Sequence, residues 1–341
     1  MNILRPSIYA IALTSLALSG ANAQTTATTD PVGFVTTTIR GKSGANNANS
    51  FVSLGMARPT AYQGVVGTPS LNGSNQTVLT FTGSPFTANQ FNGTGNRHYL
   101  QLTAGPNSGL VTEIVATTTS TLTVADNIND VITSGVTGFK AIPYWTLGTA
   151  LPGGGGLNGG ASAAASDTVA IFNNGVPSTY FYSTTANQWR VGGTPSNDVI
   201  IPPGNGLLVT RKIAGNVDLV LAGGVPLGIT EALIGGGTST AARNSVVSNP
   251  YPLSSVTLAT SGLSSVLTGG ASAAVADTIQ IYNASGVPTT YFYNTTVNQW
   301  RTGGTPANDV TIPQGAAIVV SRKANRGSVD WYIPQPSMNL N

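Results

Sequence analysis

Side-chain catalysis needs a nucleophile with its base, a metal cage or a pair of carboxylates, and this chain is poor in all three. It has one histidine, His98, no cysteine and 11 acidic residues, of which two, Glu113 and Glu231, are glutamates. A lone histidine without a G-x-S-x-G turn does not make a Ser-His-Asp triad. Nor does it make a zinc site, which needs further nitrogen or sulfur ligands. The missing cysteine excludes disulfides, thiolate metal sites and cysteine nucleophiles. Paired carboxylates remain, and these can run glycoside hydrolysis. The candidates are Glu113, Glu231 and the aspartates, among them Asp167, Asp277, Asp198 and Asp309. Those four sit at strand starts or turns, where Asp commonly bonds nearby backbone, so a turn role is the expectation. Asp126 to Asp130 reads DNIND; its third residue is Ile and it lacks the glycine of a calcium loop. The glycine runs 153–156 and 235–237 are not followed by Lys-Ser/Thr, and they read as flexible connectors rather than phosphate cradles. No catalytic residue, metal ligand or cofactor is expected, and the chain reads as a non-enzyme.

Aromatic residues offer a second kind of chemistry. Tyr180, Phe181 and Tyr182 with Trp189 form a cluster that recurs as Tyr291, Phe292 and Tyr293 with Trp300. On a strand, Phe181 faces away from Tyr180 and Tyr182. If the tyrosines and tryptophans are exposed, they can stack on sugar rings; if buried, they are core. Tyr180, Tyr182, Trp189, Tyr291, Tyr293 and Trp300 are therefore the candidate carbohydrate-binding residues.

The elements that carry these residues are strands. Charged residues are 7% of the chain, hydrophobic residues 40%, and Gly numbers 42, so a core can form but helices rich in Lys and Glu cannot. Asp167 to Lys212 realigns on Asp277 to Lys323, with one inserted residue and 30 identities in 46 aligned positions. The match at Asn49–Ser53 and Asn244–Ser248 is weaker. From there to the next shared Gly-Gly-Ala-Ser, the first copy is 85 residues longer. The first copy is thus read as interrupted by a module. Strands are predicted at Thr168–Phe172, Thr179–Tyr182, Asn187–Val191, Val199–Ile201 and Leu207–Thr210, with a turn at Asn173-Asn174-Gly175. In the module, Val78–Thr82, Tyr99–Thr103, Val111–Val115 and Thr121–Val124 alternate apolar and polar residues. The expected fold is all-β: two tandem β-sandwich or barrel-like repeat units, the first interrupted by a small β module. The expected boundaries are a signal peptide over 1–23, unit 1 over 24–61 plus 146–228, the module over 62–145, and unit 2 over 229–341.

Met1 to Ala23 has the three parts of a secretory signal. Arg5 opens it, Ile8 to Leu18 is apolar, and Ala21-Asn22-Ala23 ends it, so cleavage is expected between Ala23 and Gln24. The chain is read as exported, to the periplasm, outer surface or medium, with no transmembrane segment after signal removal. The formal charge is only +3. The densest cations, Arg211-Lys212 and Arg322-Lys323 with Arg326, read as solvated strand ends, and no nucleic-acid partner is expected. The partners expected are further copies of the chain, by strand exchange or surface assembly, or a polysaccharide. Strand exchange would use the N-terminal strand Gly33–Ile39 on a neighbour's sheet edge, although pairing within its own unit is favoured.

The opening Asp30-Pro31-Val32-Gly33-Phe34-Val35 after a signal peptide, the segment Tyr144-Trp145-Thr146-Leu147-Gly148 and the I-P-P-G-x-G string at Ile201–Gly206 resemble a family of exported proteins of Verrucomicrobia. The resemblance spans nearly the whole mature chain. It implies an envelope or extracellular location and carries over no activity. Unit 2 departs from the string at Gln314 and Ala317, so a role for that loop need not be duplicated. The functional expectation is a structural or surface protein of envelope, matrix or adhesive type. The alternative is a carbohydrate-binding protein that uses the aromatic clusters; a polysaccharide-active enzyme comes third.

Overall fold

The structure is a computed structural model that describes residues 31–226, 228–249, 256–313 and 316–333. The signal sequence and its cleavage site at Ala23 and Gln24 lie outside the described residues, as does Gln314. The protein is all-β; among the described residues, α-helix is confined to the short turns Leu147–Ala150 and Leu263–Val266.

Two six-stranded antiparallel sheets correspond strand for strand. In the first, the order is 194–195, 188–191, 176–183, 168–173, 206–211 and 48–53. In the second, 305–306, 299–302, 288–294, 278–282, 317–322 and 243–248 follow the same order. Each sheet is backed by a two-stranded ribbon, Val32–Ile39 with Val217–Gly224 and Thr230–Ile234 with Val329–Ile333. Period-two alternation explains the closure. Val169, Ile171, Leu207 and Val209 of the first sheet face Ile39, Leu219 and Leu221 of its ribbon, and the turn Leu147–Ala150 plugs the end of this core. Ile279, Ile318, Val320, Ile234, Trp331 and Ile333 build the second core in the same way. The N-terminal strand is paired along its whole length, Val32 with Gly224 through Ile39 with Val217, inside its own unit.

Ala48–Ser53 pairs with Gly206–Arg211 although strands 62–143 intervene in the chain. Those intervening strands make a separate eight-stranded sheet with its own core, which includes Leu79, Phe91, Leu100, Ile114, Leu122 and Phe139.

The inserted residue of the repeat acts at one turn. In the first copy, Asn174 and Gly175, at φ 46° and 74°, close a two-residue hairpin with Asn173 opposite Val176. Both central residues are left-handed, as such a turn requires. In the second copy, Asn283 caps a longer turn: its Oδ1 accepts from the N–H of Ser285 and of Val287.

The two units meet as a pseudo-twofold pair. Val52 bridges Ala316 and, reciprocally, Asn205 bridges Val247. Ser53 Oγ donates to Asn249 O, and its counterpart Ser248 Oγ donates to Asn205 O. Phe51 and Tyr282 stack with ring centroids 4.3 Å apart in a small core shared with Phe172, Val246, Ala317 and Val319. Contacts of the form i-to-j answered by j-to-i are the mark of an isologous interface. The approach is backbone-close: a Cβ on Gly206 would fall 2.3 Å from Ala317 Cβ.

Two expectations are corrected here. The glycine run 235–237 is not a flexible connector. A Cβ on any of the three would lie 2.1–2.4 Å from the backbone of Lys323, Arg326 or Asn174, so glycine is there for contact. Arg211 and Arg322 are not solvated strand ends but are buried beside Asp167 and Asp277, at 3.4 Å and 3.1 Å. A buried guanidinium needs a counter-charge. Each carboxylate also accepts two backbone N–H groups, from Asn158 and Lys212 in one unit and from Thr268 and Lys323 in the other. The pair thus stitches the connector ahead of the sheet to the end of a central strand.

Candidate functional site

The repeated aromatics were the first candidates, and the structure makes them core. Trp189 and Trp300 are each 1% exposed, and Tyr180 and Tyr291 are buried with them. Tyr182 and Tyr293 are half-buried and meet the indoles edge-on, at centroid separations of 5.7 Å and 5.6 Å. The reading of the tryptophans as sugar-stacking plates is therefore corrected. Neighbouring strands pair Tyr182 with Trp189 on the inward face, where burying an indole is worth on the order of 5 kcal/mol.

The titratable groups are likewise committed to packing. His98 is buried against Phe91, with Nδ1 3.1 Å from Phe91 O and 3.0 Å from Asn96 O; desolvation lowers its pKa. Glu113 pairs with Arg97. Asp198 and Asp309 are exposed turn residues, as expected. Glu231 accepts the N–H of Val111 at 2.7 Å, which ties unit 2 to the module. Its pKa is pushed up to about 7, first by burial and then by the charges of Asp330 and Asp126. Asp330, on the paired strand, is the acidic side chain whose charge acts on it most strongly. Among the described residues, no three His, Cys, Asp or Glu side chains converge as a metal cage.

A site does form where unit 1, the module and unit 2 meet. It is a cavity of about 230 Å³. The module presents one sheet face to it. Gln101 lies opposite Lys140 and Tyr99 opposite Ile142 across neighbouring strands, whereas Leu100, Leu102 and Ala141 point into the module's own core. Unit 1 contributes Met56, Arg58, Trp145 and the loop Ile201–Asn205, and unit 2 contributes Thr230. Pro202 and Pro203 cannot donate backbone hydrogen bonds, so the loop leaves the ladder and forms an apolar wall. Trp145 Nε1 donates to Met56 O at 2.7 Å, which fixes the indole as part of that wall. The Arg58 guanidinium sits 6.0 Å from the Trp145 ring centroid. Thr230 is 7% exposed, and its Oγ1 has no hydrogen-bond partner.

Sequence reading found the I-P-P-G loop and missed Arg58, Lys140 and Thr230. The available signal was positional: these residues lie on the inserted module or beside the points where the repeat is broken. No helix among the described residues is long and apolar enough to cross a membrane, which says nothing of strands. No protein-family model matches the chain, and no curated protein and no solved structure matches it either.

Proposed function

We propose that this chain is an exported, non-enzymatic structural or surface protein, an envelope, matrix or adhesive component that associates with further copies of itself. The observation that carries this reading is the outward face of the N-terminal ribbon. Val32 is 78% exposed, Phe34 73% and Val220 58%, and they share one face with Thr36 and Ala222. Monomeric proteins seldom leave such a row bare. A second copy is the fitting occupant, because the two units of one chain already associate through sheet faces and because charge on this face is limited to Asp218. The leader Met1–Ala23 and the resemblance to exported proteins support the location. Surface assembly is preferred to strand exchange, since the N-terminal strand is already paired within its own unit.

Light scattering on the chain from Gln24, across a concentration series, tests the reading. The mass should grow with concentration and fall to that of a monomer in the double variant Phe34→Ser, Val220→Thr, whose fold should be intact because both sites are exposed. A monomer at every concentration in the unaltered chain would refute self-assembly.

A further inference from the structure

The junction cavity is lined by chemistry that packing alone does not require. We propose that it binds a small organic carboxylate carrying one flat ring. The cavity's 230 Å³ corresponds to roughly seven waters, and an apolar cavity of about 150 Å³ accepts benzene. A ring with a carboxylate attached fills the difference.

The two ends of such a ligand are served by different walls. Met56, Ile142, the Trp145 ring and Pro202 form an apolar slot for the ring. Arg58 and Lys140 are the charged residues of the wall; no Asp or Glu is among the described lining residues. The half-buried Arg58, in a recess whose described lining holds no carboxylate, favours an anion, and a guanidinium suits a carboxylate because its fork matches two oxygens. Arg58 is held for this purpose by the Trp145 ring and by a long 3.4 Å contact to Tyr144 O. Thr230 supplies the independent pointer. A hydroxyl buried without a partner costs stability unless something in the recess bonds it, and a ligand oxygen would. The asymmetry of the chain fits as well. Unit 2 carries Val256 where unit 1 has Trp145, and it has no inserted module, so the site exists once.

The experiment is a titration of the full mature chain with phenylacetate, with benzyl alcohol as the uncharged control and glucuronate as the sugar-acid counterpart. Trp189, Trp300 and Trp331 are buried at 1% exposure, so a ligand-dependent change in indole fluorescence reports Trp145. Saturation-transfer NMR on the ligand gives a second readout that survives Trp145→Phe. Saturable binding of phenylacetate or glucuronate, with benzyl alcohol much weaker, supports the proposal; the better of the two acids tells an aromatic body from a sugar body. Arg58→Gln should weaken binding roughly tenfold or more, and Thr230→Val roughly two- to tenfold. Thr230→Val keeps the proposal testable should Arg58→Gln fail to fold. No saturable binding at millimolar ligand would overturn the proposal. So would equal binding of benzyl alcohol, or affinity unchanged in the folded variants. None of these outcomes depends on whether the chain self-assembles.

Discussion

Replacing Glu231 with Gln should stabilise the protein above neutral pH and leave it unchanged in mild acid. Glu231 lies on the first strand of unit 2, opposite Tyr332 and on the same face as Asp330, with Asp126 of the module near enough to act on it electrostatically. Burial and these like charges raise its folded pKa from an ordinary 4.5 to about 7. Between those two values the folded state holds a proton that the unfolded chain has released. Stability from this group therefore falls as pH rises through the window and levels off above it. The full shift corresponds to on the order of 3 kcal/mol, which partial exposure and solvent screening bring to about 2. Glutamine keeps an oxygen for the Val111 N–H, and it carries no charge at any pH. The comparison is urea unfolding of both proteins at about pH 5 and about pH 8, followed by tryptophan fluorescence. The Gln variant should match the natural chain at the lower pH and exceed it by about 2 kcal/mol at the higher. His98, whose pKa burial lowers, is the same residue in both proteins and cancels. A difference between the proteins that is the same at both pH values would refute the linkage, and a Gln variant weaker at the higher pH would refute the raised pKa.

Three further outcomes follow from the duplicated devices. Asp277→Ala leaves Arg322 buried without its counter-charge and should cost roughly 3–5 kcal/mol in denaturant unfolding, with Asp167→Ala acting in the same direction through Arg211. Gly206→Val drives side-chain atoms into Ala317 and Val246, so it should separate the two units, seen as faster proteolysis near their contact, while each aromatic core stays folded. Trp189→Phe should cost about 1 kcal/mol more than Trp300→Phe, measured as the difference in unfolding free energy, because Trp189 Nε1 donates to Leu151 O at 3.0 Å whereas Trp300 Nε1 has no partner to lose.

The strands were legible because their alternation is local. Thr121–Val124 is found as predicted, and Thr168–Phe172 extends by one residue to Asn173. Asn174-Gly175 announces its hairpin by residue type alone. Burial was legible only where a strand has one polar face. Tyr180, Phe181 and Tyr182 offer aromatic rings to both faces, so alternation cannot say which is wet, and the structure buries Phe181 as well as Tyr180. The buried Arg211 was hidden for another reason. Its partner Asp167 lies 44 residues upstream, and an arginine followed by a lysine at a strand end has the composition of a solvated terminus. The glycines at 235–237 misled because a residue chosen to let backbones touch looks the same in sequence as one chosen for freedom. The cavity was out of reach, since its walls come from positions as distant as Met56 and Thr230.

Duplication itself separates what holds the fold from what can serve a ligand. A residue that recurs in both copies with the same contacts is explained by the unit it stabilises: Asp167 and Asp277 grip equivalent arginines, and Tyr182 and Tyr293 lean on equivalent indoles. A specific site on such a chain is better sought where the symmetry fails. It fails most at the junction, where Gly206 faces Ala317 instead of a second glycine, Trp145 replaces a valine, and the module supplies Tyr99, Gln101 and Lys140, which have no counterparts. Unit 2 closes this recess from the far side through Thr230, so the pseudo-twofold contact that buries Phe51 against Tyr282 also sets the position of the wall. A perturbation that loosens the unit contact, such as Gly206→Val, should therefore widen the cavity before it unfolds either core. Trp145 fluorescence, with the other three indoles buried, would register that opening as increased quenching by iodide ahead of the main unfolding transition. Opening that coincides with global unfolding would mean that the module and unit 1 hold the cavity without unit 2.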